Sequence, residues 1–208
     1  ALAQSPELMA AYRQYKALKA QGKYAESEPF ARKALELGKD EFGPNHQTYA
    51  TLLNNLAALY QTQGRYGEAE PLYKRALAIS EKALGPDHPS VATTLNNLAG
   101  LYQAQGCLDL ALETIRRASA IHRARTGGGR GAGGLSEQRK VRYVFLRHLA
   151  ATLETPTDDP SVRRTLTSEG FEAGQLANAT GAGAAVSRMA ARFAAGDDAL
   201  ADLVTEGD

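Results

Sequence analysis

Residues 49–64 read YATLLNNLAALYQTQG, and residues 91–106 read VATTLNNLAGLYQAQG, so the same wording returns after 42 positions. Alignment of residues 43–84 with residues 85–126 gives 20 identities in 42 positions, which exceeds what a shared helical composition produces. The turn glycine occurs once more, at Gly22. A fixed period of this length indicates stacked helical units, none of which can bury its apolar face alone. Arrays of this kind offer extended binding surfaces more often than catalytic sites.

Each unit is predicted to form a helical hairpin. In the second unit Leu53, Leu56 and Tyr60 recur at the spacing of one helical face, which is typical of a buried stripe. Gly64 ends that helix, because glycine readily takes the positive φ that a tight helix C-terminus needs. The helix that follows carries its own apolar face, which includes Tyr73. Two helices joined by a glycine turn are therefore the predicted repeating element.

The residues at these positions resemble the tetratricopeptide repeat, whose unit of about 34 residues has Leu, Gly or Ala, Tyr, Gly, Ala, an aromatic and Ala at set positions. The second and third units fill that pattern with Leu53, Leu56, Ala57, Tyr60, Gly64, Tyr66, Ala69, Tyr73 and Ala76, and with Leu95, Leu98, Ala99, Tyr102, Gly106, Ala111, Ile115 and Ala118. The longer period and the wording LNNLA and GPDH are similar to the 42-residue variant of kinesin light chains and many bacterial proteins. The first unit departs from the pattern at Gln14 and is predicted to be an N-terminal cap.

The resemblance implies an all-α fold, an α-solenoid of three tetratricopeptide-type helical hairpins followed by a small helical C-terminal region. The predicted parts are the repeats at 1–125 (about 6–42, 43–84 and 85–125), a Gly-rich linker at 126–135 and a helical region at 136–208. The linker reads TGGGRGAGGL, a composition typical of flexible segments. Beyond it the helical pattern continues without the 42-residue period.

The C-terminal region carries a second resemblance. Residues 169–177, 189–193 and 196–200 are similar to the helical stretch that precedes the CHAT domain, a caspase-like peptidase domain that follows tetratricopeptide repeats in bacterial proteins. In such a protein the peptidase domain, with its catalytic His and Cys, would lie after Asp208 and outside this sequence. The resemblance implies a regulatory front half rather than the protease.

Two patterns that could indicate catalysis have simpler interpretations. Residues 129–134 match G-x-G-x-x-G, but no strand precedes them, so they are interpreted as a linker rather than a dinucleotide site. Cys107, the one cysteine, falls at an exposed turn position, and nothing supplies the orienting group that would make it a nucleophile beside His122 or His148. The chain is predicted not to be an enzyme and to carry no cofactor.

The recurring histidines and the paired aspartates are interpreted as helix caps. His46 and His88 recur because a helix-start turn recurs, and no other metal ligand stands at a suitable spacing. The pairs Asp158-Asp159 and Asp197-Asp198 each precede a predicted helix, where a carboxylate can accept from the first backbone amides. No metal site is predicted.

The net charge of the chain limits the classes of partner that it is expected to bind. Lys and Arg number 24 against 23 Asp and Glu, and the net charge of +1 favours neither a nucleic-acid nor a membrane partner. RNA binding through the basic stretch 116–142 is kept as an alternative, although no aromatic side chain lies among its arginines.

No apolar run reaches membrane-spanning length. The cytoplasm is favoured slightly, and export is the alternative because residues 1–3, Ala-Leu-Ala, look like the end of a signal peptide.

A polar stripe on the first helices is the predicted binding site. Its residues should project into the concave groove and are Thr51, Asn54, Gln61, Thr93, Asn96 and Gln103. Asn and Gln both donate and accept, so a row of them can hold an extended peptide by its backbone. Similar Asn positions line the cargo groove of kinesin light chains. The alternative is that Asn55, Asn97 and their neighbours only bridge adjacent helices.

Two leucines predict an intramolecular contact. Leu110 and Leu112 stand where the second unit has Glu68 and Glu70, and leucines on a formerly exposed face need cover. The C-terminal helices are therefore expected to dock on the third repeat. The predicted function is a non-catalytic scaffold or sensor module that binds protein or peptide. A free-standing adaptor is the main alternative, and RNA binding is the other.

Overall fold

The computed structural model describes residues 5–127 and 135–179, and the side chains within 5–124 and 141–177. The helices are α1 (Pro6–Ala20), α2 (Tyr24–Phe42), α3 (Gln47–Thr62), α4 (Tyr66–Leu84), α5 (Pro89–Ala104), α6 (Leu108–Gly127), α7 (Leu135–Glu154) and α8 (Pro160–Ala179). Every regular element in these described ranges is a helix, which confirms the all-α prediction. The helices predicted beyond residue 179, with the cap at Asp197-Asp198, lie outside the described residues.

The helices begin and end where the sequence places its caps. His46 Nδ1 accepts from the Thr48 amide at 3.1 Å, and His88 Nδ1 accepts from the Ser90 amide at 3.1 Å. The recurring histidines are therefore N-caps of α3 and α5, as predicted. The turn glycine Gly64 has φ of 76°, a left-handed conformation that residues with a Cβ rarely adopt.

The chain divides into two compact units, residues 1–105 and 106–208. The first unit holds α1 to α5, and its core is the apolar face predicted from the repeat. Leu53, Leu56, Tyr60 and Tyr73 are buried, whereas the predicted core residue Tyr66 is only half-buried. Ala57 and Ala69 of the paired helices α3 and α4 are both 0% exposed. Small residues at these positions let the two helices of the hairpin approach closely.

The second unit contains α6, α7 and α8, with α7 packed against both of the others. Val141 and Phe145 of α7 pack with Ala177 of α8 in one apolar cluster, and Leu149 packs with Ala173 in another. The unit boundary at 105–106 separates α5 from α6, while the sequence predicts a linker at 126–135. Within that predicted linker, α6 extends to Gly127, α7 starts at Leu135, and residues 128–134 lie outside the described ranges.

Candidate functional site

The predicted polar stripe lies on α3 and α5, but its members differ in exposure. Thr51 and Thr93 are exposed, and Asn54, Gln61 and Gln103 are half-buried. Asn96 is only 5% exposed, and its Oδ1 has no hydrogen-bond partner among the described residues. The expectation that Asn96 projects into an open groove is therefore not met. Only the α3 part of the stripe presents all three of its predicted side chains at least partly to solvent.

The two threonines at the start of the stripe bond to their own helices. Thr51 Oγ1 donates to the Gln47 carbonyl at 3.1 Å, and Thr93 Oγ1 donates to the Pro89 carbonyl at 3.0 Å. Each hydroxyl proton is thereby used within the helix, but a hydroxyl oxygen has lone pairs that can still accept. Toward a ligand, both threonines would act as acceptors.

The asparagines link neighbouring first helices. Asn97 Nδ2 of α5 donates to Asn54 Oδ1 of α3 at 3.2 Å, and Asn55 Nδ2 of α3 donates to the Tyr12 hydroxyl of α1 at 3.4 Å. The Tyr15 hydroxyl of α1 in turn donates to the backbone carbonyl of Asn55 at 3.4 Å. Asn55 and Asn97 therefore bridge adjacent helices, as the alternative interpretation predicts. Asn54 takes part in one bridge through its oxygen, and no described residue accepts a hydrogen bond from its Nδ2.

Gln61 is held by the second helix of its own hairpin. The Tyr73 hydroxyl donates to Gln61 Oε1 at 2.9 Å, and Tyr73 itself is 1% exposed. A buried tyrosine stabilises the fold most when its hydroxyl finds such a partner. The bond orients the Gln61 amide and thereby fixes the position of its donor, Nε2, on the α3 stripe.

An ion network lies on the turn side of the repeats. It contains two i,i+4 pairs, with Arg32 Nε 2.9 Å from Glu28 Oε1 and Lys74 Nζ 2.7 Å from Glu70 Oε1. The sequence reasoning missed Arg65, whose Nη1 lies 2.6 Å from Glu28 Oε2. Desolvation raises the pKa of Glu28, but the hydrogen bonds from Arg32 and Arg65 outweigh it and hold that pKa below its usual value.

This network joins the first repeat to the second. Arg65 also donates to both carboxylate oxygens of Glu68, at 2.7 Å each, and its guanidinium lies 4.1 Å from the centroid of the Tyr60 ring. The Tyr60 hydroxyl donates to Glu28 Oε1 at 3.4 Å. The 32-residue spacing of Tyr60 from Glu28, which recurs for Tyr102 and Glu70, is the sequence signal that could have revealed it.

A charged cluster in the second unit connects its three helices. Arg116 of α6 donates from Nε and Nη2 to the two Glu169 oxygens of α8, at 2.7 and 2.6 Å. His148 Nε2 of α7 lies 2.6 Å from Glu169 Oε1. Burial lowers the pKa of His148 below its usual value, although the neighbouring Glu169 works in the opposite direction. A carboxylate oxygen can only accept, so Nε2 is the donor in this contact.

The leucines that predicted docking behave differently from each other. Leu112 is 5% exposed, but Leu110 is 47% exposed, so the expectation that both are covered is wrong for Leu110. Their side chains point to different sides of α6, because positions two apart on a helix do not share a face. Contacts of α6 with α7 and α8 lie inside the second unit, while α5 belongs to the first. Docking on the third repeat as a whole stays a prediction.

The other positions considered for chemistry show no assembled site. Cys107 is exposed on the turn before α6, and His148 is hydrogen-bonded to Glu169. In the part of the chain that the structure describes, no group of three or more His, Cys, Asp or Glu could hold a metal ion. Among the same residues, no helix combines the length and apolar character that a membrane span requires.

Residues 8–82 and 48–124, together more than half of the chain, match a family described as tetratricopeptide repeat. The fold is similar to the crystal structure of BtubC (BKLC) from P. vanneervenii, with a TM-score of 0.62 and 21% identity over 79% of this chain and 61% of that one. It is also similar to a Podosopora anserina protein described as a kinesin light chain with nearly identical TPR-like repeats. That match has a TM-score of 0.57 and 21% identity over 99% of this chain and 100% of the other. No curated protein matches the chain.

Proposed function

Because the chain belongs to the tetratricopeptide repeat family, we propose that it is a non-catalytic scaffold or sensor module that binds a protein or an extended peptide. Repeats of this family generally mediate protein–protein interaction. The observation that carries the proposal is the α3 stripe, where Thr51, Asn54 and Gln61 stand at least partly exposed along one face of a helix. Two of the three are fixed by hydrogen bonds to their amide oxygens, and no described residue accepts from their amide nitrogens.

The chemistry of this face suits a peptide backbone. Residues 47–62 and 89–104, which form α3 and α5, contain no Asp, Glu, Lys or Arg. An extended peptide presents one N–H and one C=O for each residue, and neutral amides can satisfy both kinds of group. Side chains that are already held in place lose little conformational freedom when a ligand binds. The α3 stripe is therefore the proposed centre of the peptide site.

Asn54→Ala tests this proposal against Asn97→Ala as its matched control. Both substitutions break the Asn54–Asn97 hydrogen bond, but only the first removes the Nδ2 donors from the stripe. Peptides selected on the full chain from a random 12-residue library should lose about tenfold or more in affinity with Asn54→Ala, since an unpaired polar group costs about 1–3 kcal/mol. Fluorescence anisotropy measures the Kd. Equal losses in both variants would mean that only the bridge matters, and the peptide site would be rejected.

The finer assignment is that this module regulates an attached caspase-like domain. Its support is the resemblance of residues 169–177, 189–193 and 196–200 to the stretch before a CHAT domain. The full-length reading frame decides the matter, since a His and a Cys in caspase-like context downstream would establish it. A frame without such a domain would leave the free-standing adaptor. RNA binding is less well supported, because Arg116 and Arg123 of the basic stretch face Glu169 and Glu172.

The absence of catalysis is also a proposal, and Cys107→Ser tests it. The thiol is exposed on a turn, so the substitution should leave the stability of the protein unchanged within about 0.5 kcal/mol. No peptidase activity is expected from the 208-residue chain before or after the change. Hydrolysis of a fluorogenic peptide library that disappears with Cys107→Ser would overturn the assignment.

A further inference from the structure

The degenerate first repeat supplies a charged end to the stripe. Subtracting the 42-residue period from Asn54, Ala58 and Gln61 gives Tyr12, Lys16 and Lys19 on α1. Lys16 is exposed and Lys19 is half-buried. Two positions that carry uncharged side chains on α3 therefore carry ammonium groups on α1, in the same register of the repeat.

Hydrogen bonds place these lysines beside the α3 stripe. Tyr12 and Tyr15 of α1 both bond to Asn55 of α3, the residue next to Asn54. Lys16 Nζ lies 5.8 Å from the centroid of the Tyr12 ring, and Lys19 Nζ donates to the Tyr15 hydroxyl at 3.2 Å. Each ammonium group thus lies beside a tyrosine that is hydrogen-bonded to Asn55 of α3. Helices α1 and α3 are therefore joined by hydrogen bonds, and the repeat register gives Lys16 and Lys19 the positions on α1 that Ala58 and Gln61 have on α3.

None of the described side chains neutralises the lysine charges on this face. Within 5–124 and 141–177, where side chains are described, neither Lys16 nor Lys19 has a carboxylate within ion-pair distance, while Lys74 pairs with Glu70 at 2.7 Å. Burial, with a smaller effect of Tyr12, raises the pKa of Tyr15 to about 12, so that phenol is not a counter-anion near neutral pH. Cation–π contacts orient an ammonium group without cancelling its charge.

We propose that the bound peptide is acidic at the end that lies over α1 and uncharged where it crosses α3. Lys16 and Lys19 would pair with its carboxylates, and the α3 stripe would hold its backbone. This inference rests on the proposed function and adds the chemistry and polarity of the partner. Packed helices lie about 8–10 Å apart, so about three residues of extended chain separate the two sets of contacts. The charges would also steer the peptide during association.

Three fluorescein-labelled ten-residue peptides test the inference on the full chain. The first has four glutamates followed by six residues drawn from Thr, Ser and Ala. The second has the same residues in reverse order, and the third has glutamines in place of the glutamates. One glutamate peptide should bind about fivefold to thirtyfold tighter than the glutamine peptide, and raising the salt to about 0.5 M should shrink the difference. Lys16→Gln with Lys19→Gln should abolish the difference. Lys33→Gln with Lys82→Gln, at exposed positions of α2 and α4, should preserve it.

The outcomes separate this inference from the proposed function. If all peptides bind alike and depend on Asn54 but not on the lysines, the peptide site stands and the acidic polarity is refuted. An affinity that depends on the lysines but is unchanged by Asn54→Ala would support the anion contact and reject the α3 stripe as the peptide site. Equal losses in the two lysine pairs would indicate attraction by overall charge and overturn the inference. Tighter binding of a phosphoserine version by more than about tenfold would assign the lysines to phosphate instead. No binding by any peptide would refute both.

Discussion

Leu53→Ala is expected to destabilise the first compact unit by about 2–5 kcal/mol, the usual range for truncating a buried leucine. Leu53 is 2% exposed and belongs to a cluster with Ala76 and Ile79 of α4, against which Leu35 of α2 also packs. The cavity would therefore weaken the hairpin and its contact with the preceding repeat together. The small neighbour Ala76 cannot refill the lost volume, because its side chain has only one methyl group.

Hydrogen exchange read by mass spectrometry measures this loss for each unit separately. Protection of α2, α3 and α4 should fall, while that of α7 and α8 should not change. Leu84→Ala is the matched control, since Leu84 is 37% exposed at the end of α4 and should cost less than about 1 kcal/mol. If the two leucine variants lose equal protection, the core assigned to the repeat is incorrect.

Glu169→Ala is expected to loosen the second unit by about 1–3 kcal/mol, the cost of leaving buried donors unpaired. The change removes the acceptor of His148 Nε2. His148 is 1% exposed, and its Nδ1 has no hydrogen-bond partner among the described residues. It also removes both hydrogen bonds from Arg116, although that side chain is 45% exposed and its ion pair is partly screened by water. Glu172→Ala is the control, because its pair with Arg123 spans 3.5 Å at an exposed position.

The same cluster predicts a dependence of stability on pH. Burial holds the pKa of His148 below its unfolded value, with Glu169 opposing and Arg116 and Arg123 adding to the effect. The unfolded state therefore binds the proton more tightly, and the second unit should lose stability as the pH falls below about 6.5. Protection of α7 should be lower at about pH 5.5 than at pH 7.5. Protection that is equal at both values, or higher in acid, would refute this account of His148.

The repeat made most of the first unit predictable. Its register assigns the same role to equivalent residues, so one apolar face fixes the buried positions of its neighbours, as Leu53 and Leu95 illustrate. The helix caps were equally predictable from the sequence, because the histidine of the GPxH turn accepts a hydrogen bond from an amide only two residues away. Such features depend on residues close in the chain and on helical geometry. They therefore need no knowledge of tertiary contacts.

The candidate site was predictable only as a set of positions. The sequence places Asn54 and Asn96 at equivalent points of two repeats, yet one is half-buried and the other is 5% exposed. Equivalent positions share a face of a helix, but their neighbours in space belong to different segments. The exposure of a polar side chain depends on those neighbours, and the period carries no information about them.

The sequence by itself determined the helical hairpins, their turns, their caps and the buried faces of α3 and α4, because periodicity and local hydrogen bonding decide all of these. Only the tertiary structure decided that Arg65 reaches Glu28, that Asn97 bridges to Asn54 and that Glu169 joins α6 to α7. It also decided that Leu112 is covered and Leu110 is not. These contacts join residues far apart in the chain. Their formation depends on the packing of whole helices, which sets the distance and direction between side chains that no local pattern relates.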